Sequence, residues 1–323
     1  MMDRTLSEFE THRPLLFGIA YRMLGSVTDA EDMVQESYLR WQQSADASIR
    51  SPRAWLTTVV TRLCLNHLQS ARVQRETYVG SWLPEPLVDE QTRDPAETST
   101  LADSLSLAFL VLLENLSPTE RAVFILREGF DCEFADIAHI VEKSEANCRQ
   151  LLARARKRID ERRPRFDASR TDAEKLVAPF VAALKNGDLE AMLARMSAHV
   201  VLVADGGDKP GALLRPLHGA EPVARAMIHA MRKHAAATDE IRAARINGLP
   251  GFVRFQEGQA RAVLAFGIVG GRIDAVFVMS NPEKLRHLNS SSPSNRENMV
   301  GGVHCSPPQK GDLHEYRANT LHG

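Results

Sequence analysis

The chain has 323 residues, 25% charged and 44% apolar, and a formal net charge of -1, which is the composition of an ordinary globular protein too long for a single core. A near-neutral total neither favours nor disfavours nucleic acid, because binding depends on where the charge sits. Cys64, Cys132, Cys148 and Cys305 are widely spaced without a CxxC pair, and the longest apolar run, Leu107 to Leu113, is too short to span a bilayer. Metal ligation, a disulfide framework and a membrane segment are therefore not expected, and a soluble, cytoplasmic protein of two or three domains is.

Residues 1 to about 80 read as helical. Thr28-Asp29-Ala30-Glu31 has the pattern of a capping box, and Ala30, Val34, Tyr38 and Trp41 follow at helical spacing. The opposite face carries Glu31, Asp32, Gln35 and Glu36. Ser51-Pro52 opens another helix, with Trp55, Val59, Leu63 and Leu65 to Leu68 on its apolar side and Arg53, Arg62, Asn66, Arg72 and Arg75 on the polar one. From about Gly80 to Thr100 the chain is rich in proline and acid and should be irregular. Within it Trp82-Leu83-Pro84-Glu85-Pro86-Leu87 offers more apolar surface than a passive spacer needs.

The next helical block runs from about Leu101 to Arg163. Ser117-Pro118-Thr119-Glu120 combines an N-cap, proline at N1 and Glu at N3, a strong helix start that leads through Val123, Phe124 and Leu126 to Gly129. Phe134 to Ile159 then reads as two short amphipathic helices joined by the turn Glu142-Lys143-Ser144. Phe134, Ile137, Ala138 and Val141 form the first stripe. Ser144 is placed to cap the second helix, whose seam is Cys148, Leu151, Leu152, Ala155 and Ile159. Glu145, Asn147, Arg149, Gln150, Arg154, Lys157 and Arg158 face outward. Arg, Gln and Asn in the first turns of such a helix are the side chains that pair with base edges in a major groove. Eight Arg or Lys against two acids between Arg149 and Arg165 support that reading without deciding it.

After Pro164 the pattern changes. Asp172 to Asn186, Leu189 to Met196 and Glu221 to Ala235 look helical, and His199 to Ala204 looks like a strand. Strands are expected near Glu240 to Ile246, Phe252 to Gln256, Ala260 to Ile268 and Arg272 to Met279, the last two joined at Gly270-Gly271. Helices followed by a strand meander indicate an α+β domain with a curved sheet.

DAEDMVQESYLRW at 29 to 41, PRAWLTTVVTRLCLNHL at 52 to 68, LSPTERAVFILRE at 116 to 128 and the helix-turn-helix closely resemble the bacterial extracytoplasmic-function sigma factors. The remainder resembles the SnoaL-like cone that one sigma subfamily carries at its C-terminus. That subfamily's marks stand here as WLPEPL at 82 to 87, DGGDK at 205 to 209 and NPEKL at 281 to 285. One departure is Asp208, where the subfamily usually has a third glycine. The implied architecture is multidomain: two all-α sigma domains followed by an α+β SnoaL-like cone with a curved sheet. Region 2 would occupy 1–80, a linker 81–100, region 4 101–165, the regulatory cone 172–288 and a flexible tail 289–323.

The resemblance also implies roles. Asp29, Glu31, Asp32, Gln35 and Glu36 would dock on core RNA polymerase, an acidic row suiting a basic protein partner better than phosphate. Asn66, Arg72 and Arg75, at the end of the second helix and the loop after it, would hold the melted minus-ten strand, and Arg62 is as well explained by structure. Lys143, Ser144, Glu145, Asn147, Arg149, Gln150 and Arg154 would meet the minus-35 duplex, Arg149 and Gln150 at base edges and Arg154 at phosphate. Regulatory contacts are expected between Trp82, Leu83, Pro84, Glu85, Pro86 and Leu87 of the linker and Asp205, Gly206, Gly207, Lys209, Asn281, Pro282 and Lys284 of the cone. The expected partners are core polymerase, promoter DNA and the chain's own linker, with no cofactor and no membrane. In the cone His199, His218, Asp205, Asp274 and Lys284 are available polar groups, but no spacing marks a catalytic dyad, so turnover is not expected. A stand-alone helix-turn-helix regulator with a ligand-sensing cone, and a SnoaL-like enzyme with a DNA-targeting module, are the alternatives. The former leaves the N-terminal half without a job.

Overall fold

The structure, a computed structural model, describes residues 2–44, 49–76, 80–89, 106–161, 170–208, 213–234 and 238–289. These fall into two compact units, one of residues 2–76 with 112–161 and the other of residues 80–111 with 170–289. Regions 2 and 4 were expected as separate domains, with the WLPEPL linker between them in contact with the cone. The contacts group the two helical regions into one unit and place the linker in the same unit as the cone.

The first unit begins with three helices, α1 (Met2–Leu24), α2 (Val27–Gln43) and α3 (Pro52–Glu76). Ser26, not Thr28, caps α2, its side chain accepting the Asp29 N–H at 3.0 Å. Two serine or threonine candidates lie within one turn, and only the residue with extended backbone can cap. Ala30, Val34 and Trp41 are buried as their spacing predicts, whereas Tyr38 is half-buried against Phe9, ring centroids 4.9 Å apart. In α3 Leu56, Val60, Leu63, Cys64 and Leu68 are buried, so the expected Leu63 and Leu68 do face the core, while Trp55 and Val59 stay half-buried. Trp55 instead meets Trp41, centroids 5.7 Å apart.

Further along, Ser117 and Glu120 form the expected capping box on helix Pro118–Phe124. That helix then widens into a π-helical stretch, Ile125–Gly129, which the sequence pattern did not foretell. Two buried arginines join the helical regions. Arg121 donates to the Met23 carbonyl and to Glu114, both at 2.6 Å. Arg22 donates to the Gly18 carbonyl at 2.9 Å and lies over the Phe130 ring. Buried guanidiniums are tolerated only when partnered in this way.

The second unit is a seven-stranded sheet in the order β1-β4-β5-β6-β7-β2-β3. Its strands are β1 (Val88–Asp89), β2 (Met196–Asp205), β3 (Leu217–His218), β4 (Asp239–Ile246), β5 (Leu249–Gln256), β6 (Gln259–Val269) and β7 (Arg272–Met279). All neighbours run antiparallel except β2 and β7, and register shifts in the β2–β7, β5–β6 and β6–β7 pairings allow the sheet to curve. Helices Arg170–Asn186, Leu189–Leu193 and Ala220–His234 cover one face, around Phe180, Met192, Met227, Phe252 and Phe266. The other face is covered by Leu83, Leu107, Ala108 and Leu285, so the linker forms part of the cone's own core. The two-residue strands β1 and β3 were not expected. The tail beyond 289 and most of the linker after Asp89 lie outside the described residues.

Candidate functional sites

The helix-turn-helix is built as its pattern predicts at the second helix and differently at the first. The scaffold helix is Phe134–Val141, the turn residue Glu142 takes the left-handed conformation (φ 55°, ψ 48°), and the recognition helix is Glu145–Asp160. Ser144 caps it by accepting from the Asn147 N–H at 3.2 Å, and Cys148, Leu151, Leu152, Ala155 and Ile159 are its buried residues. In the scaffold helix the buried side is Ile137, Ile140 and Val141, while Phe134 and Ala138 are only half-buried. Lys143, Ser144, Arg149, Gln150 and Arg154 are exposed, with Glu145 and Asn147 half-exposed, so none of the minus-35 candidates is buried. Two of these are already engaged: Arg149 donates to Glu145 at 2.9 Å, and Arg154 lies 3.6 Å from Glu120. Glu120 also accepts from Arg158 at 2.7 Å. Although burial raises its pKa, the Ser117 backbone and hydroxyl donors and the two arginines outweigh that and hold the Glu120 carboxyl below its usual range.

The other two groups are less uniform. Asn66 is exposed, and α3 continues to Glu76, so Arg72 and Arg75 stand on the helix rather than in a loop; their side chains lie outside the described residues. Arg62 donates to the carbonyls of His139 and Ile140 at 2.9 and 3.2 Å, tying α3 to the end of the scaffold helix. On α2, Glu31 is paired with Arg13, and burial is the main cause of a raised carboxyl pKa there. Asp29 sits 3.6 Å from His67. Of the acidic row, Asp32 and Gln35 are the exposed members, and Glu36 accepts from Arg40 at 2.9 Å.

The linker and cone residues converge on one buried knot. Asp205 ends β2 with 1% of its surface exposed. Its Oδ2 accepts from the Leu83 N–H at 2.9 Å and from Lys284 Nζ at 2.7 Å. Its Oδ1 accepts from the Gly207 N–H at 3.2 Å. Lys284 also donates to the Leu83 carbonyl at 2.5 Å and lies 4.2 Å from the Trp82 ring centroid. The backbone N–H and carbonyl of the fully buried Leu83 are thus both satisfied by one ion pair, which is the condition under which burying such a pair is tolerable. The Asp205 carbonyl accepts from Ser280 and Asn281, drawing the NPEKL segment onto the same point. Gly207 (φ 63°) lies so close to Asn281 that an added Cβ would sit 2.9 Å from its amide carbon, so both the turn and the packing require glycine. Gly206 and Asn281 are buried, Pro282 is exposed, and Lys209 lies outside the described residues. Asp208 is exposed and its backbone is not left-handed, so the departure from glycine costs nothing at that position.

The strap continues along the sheet edge. Pro84, Glu85 and Pro86 are buried, and Leu87 exchanges hydrogen bonds with Asn247 at 2.8 and 3.0 Å before Val88 pairs with Ile246. Asn247-Gly248 is the two-residue turn joining β4 to β5, and that dipeptide between two strand-like runs was an available hairpin signal that the sequence reading passed over. His287 was missed as well, since a lone histidine near a chain end carries no spacing. Its Nε2 is 2.9 Å from the Pro86 carbonyl and its Nδ1 3.9 Å from Glu85. Burial pushes the His287 pKa down, against the opposing influence of Pro86, Glu85 and the Lys284 backbone. A histidine lowered in this way contributes stability that is present above the usual imidazole value of 6.5 and lost as pH falls below it. Acidification from pH 7.5 to 5.5 is therefore expected to lower the protection factor of the Leu87 amide, the intrinsic rate at each pH divided by the observed rate, by roughly severalfold, and His287→Gln to flatten that dependence. An equal response in the variant would assign it elsewhere.

Among the described residues no helix is long and apolar enough to cross a membrane. Cys64, Cys132 and Cys148 are buried free thiols, and burial raises the Cys132 pKa to about 12, so it is unreactive.

Comparison with known proteins gives consistent matches. Residues 9–73 match Sigma-70 region 2 and residues 106–159 match Sigma-70 region 4. The chain is 36% identical over 291 residues to the ECF RNA polymerase sigma factor SigJ of Mycobacterium tuberculosis (strain ATCC 25618 / H37Rv), covering 86% of this chain and 92% of that one. It is 32% identical to a probable ECF RNA polymerase sigma factor, SigI, from the same species, over 89% of this chain and 97% of that one. The crystal structure of M. tuberculosis SigJ superposes with a TM-score of 0.68 at 32% identity, covering 87% of this chain and 98% of that one.

Proposed function

The chain belongs to the extracytoplasmic-function RNA polymerase sigma factors, and on that premise we propose that it binds core polymerase, reads a promoter through its two helical regions and is modulated in cis by its C-terminal cone. Localisation to the cytoplasm follows from that role. The exposed pair Asp32 and Gln35 leads the polymerase contact, with Glu36 beside them, because Asp29 and Glu31 face partners within the fold. The recognition helix meets the minus-35 duplex. Asn66, Arg72 and Arg75 hold the opened minus-ten strand, where unstacked bases need a stabilising surface.

In this reading the Arg62 and Arg121 hydrogen bonds, which join the two helical regions, open when both promoter elements are engaged together. The cone's role is regulatory rather than catalytic in this reading, and the observation that carries it is Leu83, buried with its backbone N–H and carbonyl bonded by Asp205 and Lys284. A linker held there is restrained, and its release alters how far the two DNA-reading regions can separate.

Capture of purified core polymerase tests the docking surface. Asp32→Lys is expected to weaken capture about tenfold, roughly 1.4 kcal/mol, with the fold intact because the side chain is exposed. Capture unchanged in that variant would move the contact off α2.

A further inference from the structure

Phe134 sits at the start of the scaffold helix, where spacing with Ile137 and Val141 predicts burial, yet it is half-exposed. Two guanidiniums lie over its ring instead, the Arg127 carbon at 5.2 Å and the Arg149 carbon at 4.8 Å from the centroid. They are not equivalent. Arg127 belongs to the π-helical stretch and is fixed by the fold: it donates to the Cys132 carbonyl at 2.8 Å and lies 3.6 and 3.7 Å from Asp131 and Glu133. Arg149 stands on the outer face of the recognition helix with 56% of its side chain exposed, and its remaining restraint is the Glu145 carboxylate one turn earlier, 2.9 Å away. A ring anchored by one arginine thus offers its surface to another that faces the groove.

This matters because a guanidinium recognises guanine with two parallel bonds in the plane of the base, a geometry that a loosely held side chain reaches only part of the time. Stacking on an aromatic ring and pairing with a neighbouring carboxylate both narrow the orientations the fork samples. Glu145 has a second effect. Its negative charge beside Arg149 disfavours a phosphate at the same position, and so biases the fork toward base edges.

We infer that Phe134 and Glu145 are positioning residues for Arg149, setting how strictly the base pair it meets in the minus-35 element is discriminated. The inference deepens the proposed promoter-reading role of the recognition helix and rests on it. The nearest competing explanation is that Phe134 only packs and that the Arg149–Glu145 pair is an incidental surface bridge.

The experiment uses holoenzyme reconstituted from core polymerase and the full chain, with promoter fragments substituted singly at each minus-35 base pair. Arg149→Ala first locates the position it reads, as the one where discrimination is lost. Phe134→Leu is then expected to lower discrimination at that position roughly two- to fivefold, the equivalent of one cation–π contact, with the other positions and the salt dependence unchanged. Phe134→Tyr retains the ring and should retain discrimination, and Glu145→Gln should relax it at the same position. Loss spread evenly over all positions, or no loss with Phe134→Leu where Arg149→Ala does show one, overturns the positioning role alone. If Arg149→Ala leaves discrimination unchanged everywhere, the base-reading assignment of Arg149 fails and the positioning role goes with it.

Discussion

Asp205→Ala is expected to destabilise the cone by about 3 to 5 kcal/mol, because it leaves the Lys284 ammonium buried without its carboxylate. Asp205 Oδ2 serves both Lys284 and the Leu83 N–H, so the linker loses an acceptor at the same stroke. For a domain of this size the thermal midpoint should fall by about 6 to 20 °C, and hydrogen exchange at the Leu83 amide should rise to that of an open loop. Asp205→Leu with Lys284→Met removes both charges and should recover much of the loss. The remainder, about 1 to 3 kcal/mol for each group left unsatisfied, belongs to the Leu83 backbone N–H and carbonyl. If the single variant melts like the parent and Leu83 stays protected, the knot does not hold the linker. In promoter-directed transcription the same variant should change yield and leave the start site unaltered, since the side chains proposed to read DNA lie elsewhere in the chain.

Gly251→Ala should disrupt the cone by a different route. An added Cβ would come within 2.0 Å of the Leu264 carbonyl on the neighbouring strand and 3.1 Å of the Ala265 Cα. Both obstacles are backbone, so β5 and β6 must part where Gly251 pairs with Ala265. This cost is about 3 kcal/mol or more, at the upper end of overpacking effects. Phe252 and Phe266 on one sheet face and Val253 and Ala265 on the other belong to the two cores, so the loss propagates to both. Thermal unfolding should show the cone transition moved down while the helical unit keeps its own. Transcription by this variant should resemble that of a chain lacking the cone. Activity like the parent's, with the cone shown to be unfolded, would remove the cis-regulatory role.

The legible parts of this chain were those specified by neighbours in sequence. The seam from Cys148 to Ile159, its Ser144 cap and the box at Ser117 to Glu120 depend on residues three or four apart, and all three stand in the structure as their spacing predicts. The five longer strands of the cone were likewise legible from β-rich runs between turn residues. The acidic face of α2 was legible as a row, but not that Arg13 and His67 occupy two of its members, because those partners come from other helices.

Misplacement followed where local rules were degenerate. Thr28 was read as the cap of α2, whose cap is Ser26 two residues earlier, and in the apolar-rich α3 Trp55 and Val59 fall at the edge of the buried face. Phe134 fitted a core stripe at the end of its helix, where the neighbouring turn no longer covers it and arginines do. Strands β1 and β3, of two residues each, exist only because a long edge is there to pair with. WLPEPL announced through its excess apolar surface that it packs, and Leu83 and Asp205, 122 residues apart, meet at that packing site. Sequence supplied the resemblance of the three short segments. Only the fold supplies the shared ion pair that explains why they occur together.

The most direct measurement is transcription by core polymerase supplemented with this chain, full-length and trimmed before Asp172 side by side, at a promoter that the housekeeping sigma does not read. The account predicts transcripts from one start site with both proteins and a different yield when the cone is absent. No start-specific transcript from either protein would contradict it.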